Sequence, residues 1–176
     1  MVGAACVWRT QEGWTGRRYH LGYDKEFFDG EIFAVCRALG AIDQRQERGR
    51  SFNIFVNSTS AITRVRDDLM GPGQPFAMAA IEVCACIIAR ENRVNIQWIS
   101  ARSGAVGSEA ADQFAKSAAT GEGPLTVENI PEGYAAETSL SHMTRVATKA
   151  GTRERTERIV EHVRPKRRYR RLWGVA

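Results

Sequence analysis

The chain has little of what several protein classes depend on. Only four of its 176 residues are cysteine, Cys6, Cys36, Cys84 and Cys86, and no two form a Cys-x-x-Cys pair. With three histidines (His20, His142, His162) they offer no zinc-finger spacing, which excludes a structural zinc module and a disulfide scaffold. All four cysteines sit inside apolar patterns and read as reduced core thiols. No apolar run approaches the ~20 residues that a membrane-spanning helix needs. The N-terminus also lacks a basic segment followed by an apolar stretch, so no secretory signal is expected and the reading is an intracellular, soluble protein. An apolar fraction of 43% is enough for a packed core.

What is present is unevenly placed. Residues 151–176 hold nine Arg/Lys and three Glu, a net of +6, whereas the whole chain carries +5. The basic character therefore belongs to the tail, and the first 150 residues are close to neutral. The last stretch, from Arg164 through Lys166, Arg167 and Arg168 to Trp173, interleaves basic residues with aromatics. Such a segment favours polyanions through counterion release, or is a solvated tail without a specific partner.

The hydrophobic periods alternate between two and 3.6. Residues 3–9 and 14–21 read as a hairpin around Glu12-Gly13. Asp29 is placed to cap a helix over 30–40, with Ile32, Val35, Cys36 and Leu39 on one face and Gly40 at its end. A strand is expected at 52–57, with Ser58 capping a helix from 59 to about 70. A break at 71–75 precedes a helix over 76–90. A further strand is expected at 95–99, and a last helix over 109–119 capped by Ser108. This order gives an α/β layer fold, with helical crossovers around 57–94 joining parallel strands. The Gly- and Pro-containing stretch 120–137 reads as a linker, followed by a basic, partly helical extension over 138–176.

One segment carries chemistry. From Trp98 to Lys116 a strand runs into a loop with Gly104 and Gly107, then into a helix bearing Asp112 in its early turns. The segment resembles the last catalytic segment of type 1 ribonuclease H domains, especially those of non-LTR retrotransposon reverse transcriptases. Glu31, in Phe28-Asp29-Gly30-Glu31-Ile32, resembles the first-helix glutamate of that family. Asn57, in Val56-Asn57-Ser58, stands where the family has an aspartate at a strand end. The resemblance spans residues 3–119. It implies a ribonuclease H-like mixed sheet flanked by helices, with hydrolysis of the RNA strand of an RNA–DNA hybrid as the ancestral reaction. That reaction uses two Mg²⁺ or Mn²⁺ ions about 4 Å apart, held by converging carboxylates.

Three departures accompany the resemblance. Asn57 is neutral. Arg102 takes the place of a loop histidine and cannot shuttle a proton near neutrality. The family's first strand, with its aspartate, has no counterpart ahead of Gly3. Only Glu31 and Asp112 remain of the four carboxylates, so metal binding and cleavage are expected to be weakened or lost. The expected alternative is a nuclease-dead module that holds nucleic acid through Arg17, Arg18, Arg102 and the tail residues Lys166, Arg167 and Arg168, or a structural remnant. Without a central strand, the hairpin and the strand at 52–57 lack a shared neighbour, and pairing with another chain through an exposed sheet edge is expected. Each residue also has a plainer reading. Glu31 can be a solvated helix residue, Asp112 an acid favoured near a helix N-terminus, Arg17 and Arg18 solvated, and Trp8, Trp14 and Tyr19 hairpin packing.

Overall fold

The computed structural model describes residues 1–23, 25–66, 73–101, 103–121 and, for the backbone alone, 127–129. Strands alternate with helices, as the sequence periods predict. Val2–Thr10 (β1) and Gly13–Gly22 (β2) form the antiparallel hairpin, in register from Thr10 opposite Gly13 to Gly3 opposite His20, with a shift between Gly3 and Val2 that sets Val2 opposite Gly22. The next element, Phe27–Gln44 (α1), is longer than expected at both ends. Glu26 is its N-cap, and Asp29 is the third helical residue, whose carboxylate accepts the Glu26 backbone N–H at 2.7 Å. Asp29 thus caps from inside the helix, as the acidic partner of a capping box does, and is buried. Gly40 does not end the helix, which runs on through half-buried Ile42.

Ser51–Val56 (β3), Thr59–Arg66 (α2), Gln74–Ile88 (α3) and Arg93–Trp98 (β4) follow. Ser58 caps α2 as expected, its hydroxyl accepting the Ala61 N–H at 3.2 Å. α3 begins two residues ahead of its expected start. Gly73, at φ 71°, is the cap, and Pro75 sits in the first turn, where its missing N–H costs nothing. The helical crossover makes β3 and β4 parallel, in register from Ser51–Arg93 to Val56–Trp98. Val106–Thr120 (α4) starts ahead of its expected cap, with Ala105 preceding it and Ser108 inside the first turn. Within the expected linker, Val127–Asn129 (β5) pairs parallel with Arg18–His20 of β2. The extension 138–176 lies outside the described residues.

The strands sort into two sheets, β1-β2-β5 and β3-β4, where the resemblance implies one mixed sheet. α1 joins them. Its stripe of Ile32, Phe33, Val35, Cys36 and Leu39 shares one core with Ala4, Cys6, Tyr19 and Leu21 of the hairpin and Ile54 and Val56 of β3. Tyr19 meets Phe33 edge-on at 5.2 Å, and Phe33 meets Phe76 of α3 at 5.1 Å. Such edge-to-face pairs add directional attraction to area burial.

α4 covers the opposite face of the hairpin at very close range. A Cβ on Gly3 would collide with the Ala115 carbonyl and stand 2.6 Å from the Ala119 nitrogen. One on Gly107 would come within 2.7 Å of a second Trp14 ring carbon after striking the first. Arg18 Nη1 donates to Ser117 Oγ at 2.7 Å, and His20 Nδ1 lies 3.1 Å from the Ala118 carbonyl.

Two outcomes follow from this packing. Gly3→Val should lower stability by about 1–3 kcal/mol in chemical denaturation, because the obstructing atoms are backbone and cannot swing aside. The outer edges of β1 and β3 have no strand partner among the described residues, so concentration-dependent self-association is expected in light scattering. A strictly monomeric protein with one sharp, high-temperature unfolding transition would contradict it.

Candidate nucleic-acid interface

Hydrolysis by two metals needs several carboxylates pointing at one spot. Among the described residues no group of three or more His, Cys, Asp or Glu converges. Glu31 lies in the second turn of α1, half-buried beside the stripe, one turn later than expected because the helix begins earlier. Asn57 is exposed just past β3.

Asp112 is turned elsewhere. The face of α4 against the hairpin is made of small residues at helical spacing, Gly107, Ala111, Ala115 and Ala118, of which Ala118 is fully buried. Asp112 falls off that face. Its carboxylate accepts from Lys116 Nζ at 2.5 Å, one turn later, with the two side chains 55% and 74% exposed. A pair of this kind adds only about 0.2–0.5 kcal/mol, but it gives the carboxylate a cation other than a metal. The donors that the resemblance implies therefore do not fit a Mg²⁺ or Mn²⁺ pair.

The arginines divide. Arg18 is 2% exposed and bonded to Ser117, so it offers no surface to a phosphate. The half-buried Arg17 donates to Gln44 Oε1 at 3.3 Å, joining β2 to the end of α1. Arg102, Lys166, Arg167 and Arg168 lie outside the described residues. Of the hairpin aromatics, Tyr19 is core, whereas Trp14, which rests on Gly107, and Trp8 are both partly exposed.

Features that periodicity did not single out are exposed or open. A shallow cavity of about 260 Å³ is lined by Phe28, Thr59, Ser60, Thr63 and Arg64, where α2 begins beside the start of α1. On the β3–β4 sheet Phe55 is 58% and Trp98 55% exposed. The alternation in Phe52-Asn53-Ile54-Phe55-Val56 already puts Phe55 opposite the core face, which is the signal that would have found it.

The thiols offer no second chemistry. Cys6, Cys36 and Cys84 are buried, whereas Cys86 is exposed, against the expectation that all four are core. Burial pushes the Cys36 thiol up to about 11, opposed in part by the neighbouring Arg37, and burial alone raises Cys84 to about 11. Neutral thiols are poor nucleophiles and poor metal ligands.

Comparison with protein-family models, with curated proteins and with solved structures finds no match for the chain.

The thiols give a pH test. In the unfolded chain Cys36 and Cys84 ionise near their ordinary value of 9.0, and in the fold only near 11. The unfolded state therefore loses protons first, and stability should fall as pH rises from about 9 to 11. Cys36→Ser or Cys84→Ala in urea titrations should flatten that decline. At pH 8 a thiol reagent should label Cys86 well ahead of the other three.

Proposed function

We propose that this chain is a nucleic-acid-binding α/β domain of the ribonuclease H-like kind, related to retrotransposon reverse transcriptases, in which hydrolysis of RNA–DNA hybrids is lost. The observation that carries the loss is the Asp112–Lys116 pair on the exposed side of α4. It combines with a neutral Asn57 and a half-buried Glu31, and among the described residues no three acidic, His or Cys side chains gather to hold two divalent ions. Removing half of the carboxylates from such a site removes the charge that holds the metals, and with them the activated water.

Binding outlasts hydrolysis in this reading because it draws on different residues. The basic excess lies in the tail, where nine Arg/Lys face three Glu. Lysine and arginine neutralise phosphates without base readout, so the affinity is sequence-tolerant and strongly salt-dependent. RNA–DNA hybrid or another nucleic acid is the ligand, and metal is not required.

The test is a labelled RNA–DNA hybrid incubated with the protein in Mg²⁺ or Mn²⁺, beside Asp112→Asn. No cleavage by either protein is expected, with a gel shift that survives chelation and weakens steeply as salt rises. Cleavage that disappears in Asp112→Asn would overturn the loss of hydrolysis. Neither cleavage nor shift would leave a fold without a ligand.

A further inference from the structure

Parallel strand pairs are normally covered on both faces, because their crossover helices lie over them. Among the described residues, the β3–β4 pair is covered on one. Ile54 and Val56, with half-buried Phe52, Val94 and Ile96, belong to the core shared with the helices. The alternate residues Ser51, Asn53, Phe55, Arg93, Asn95 and Gln97 are all exposed. In-register pairing puts them on one face in three rows, Ser51 beside Arg93, Asn53 beside Asn95, and Phe55 beside Gln97. α4, which closes the outer face of the hairpin, gives this face no cover.

The six side chains are of a particular kind. None is acidic. Asn95 Nδ2 donates to Asn53 Oδ1 at 3.1 Å and reaches Ser51 Oγ at 3.4 Å, which holds the middle row across both strands. Phe55 is the one ring, and Gln97 beside it carries both an amide donor and an acceptor. Positive charge sits at the other end, about 13 Å away along the strand. Arg93 supplies it, together with Arg50, which also faces Glu47 at 3.6 Å.

We propose that this face binds a short stretch of single-stranded nucleic acid, with one base stacked on Phe55, its polar edge met by Gln97, and the backbone running toward Arg93. The proposal rests on the nucleic-acid reading above and gives it a site and a strand preference. A flat sheet offers its ring only to a base that has left its stack, which a duplex does not supply. One ring among amides and arginine is too little apolar area for a protein partner, but it suits a base, whose faces are apolar and whose edge is polar.

The experiment uses the full chain and fluorescence anisotropy with three labelled probes: an oligo-dT strand of about ten nucleotides, the same strand with abasic residues at its centre, and an RNA–DNA hybrid. Phe55→Ala should weaken binding of the intact strand about tenfold, the scale of one base–aromatic stack. It should leave the abasic strand and the hybrid unchanged, since their phosphates are held by basic residues. Phe55→Trp should restore the intact strand. Equal binding of the intact strand by Phe55→Ala and the unsubstituted protein overturns this site while the nucleic-acid reading stands. An equal loss on all three probes does the same, because it marks a structural effect. No binding of any probe by the unsubstituted protein overturns that reading, and this site with it.

Discussion

Burial of the α1 stripe is the interaction on which the rest depends. Among the described residues the two sheets share no hydrogen-bonded strand pair, so what unites them is one helix whose apolar side chains meet the hairpin and β3 together. Phe33 stands at the junction, edge-on to Tyr19 on one side and to Phe76 of α3 on the other. At ~25 cal/mol per Å², side chains of this size supply most of the stabilisation available to a small domain. Asp29 contributes at the helix start by accepting the Glu26 backbone N–H, one arm of the capping box.

The close seating of α4 shows how packing can govern chemistry. Gly3 and Gly107 let the helix approach until backbone and ring atoms touch, and alanines fill the contact. A helix fixed that tightly has no freedom to rotate, so whichever residues lie off the contact stay off it. Asp112 and Lys116 are such residues, and they neutralise each other in solvent. The same glycine that gives the 98–116 segment its likeness to a catalytic loop also has a purely steric task beneath Trp14.

Much of the fold was legible because it follows from periodicity. The hairpin, the stripe of α1, the Ser58 cap and the parallel crossover all announce themselves through spacing and cap chemistry. The misread boundaries have a common cause. Asp29, Gly40 and Ser108 are residue types that favour helix ends, yet each lies inside a helix: Asp29 acts from the third position of a capping box, and Gly40 and Ser108 sit in helical runs that extend beyond them. β5 was not legible, since three residues show no period and the strand exists only by pairing with β2. The candidate site was legible in its residue types and not in their directions. Nothing in the sequence near Arg18 announces that its guanidinium is enclosed against Ser117, ninety-nine residues away.

That last separation bears on how the chain assembles. β3, α2, α3 and β4 form a block from Ser51 to Trp98, whose parallel strands pair across about forty residues. The hairpin and α4 instead lie on either side of that block in sequence, and their junction closes a loop of about a hundred residues. Loop-closure entropy is lost before such a junction returns any contact energy. The block and α1 are thus the natural early structure, and α4 is the element that docks last and leaves first. The sterically exacting Gly3 contact then acts late, at the step that seals the molecule rather than the one that starts it.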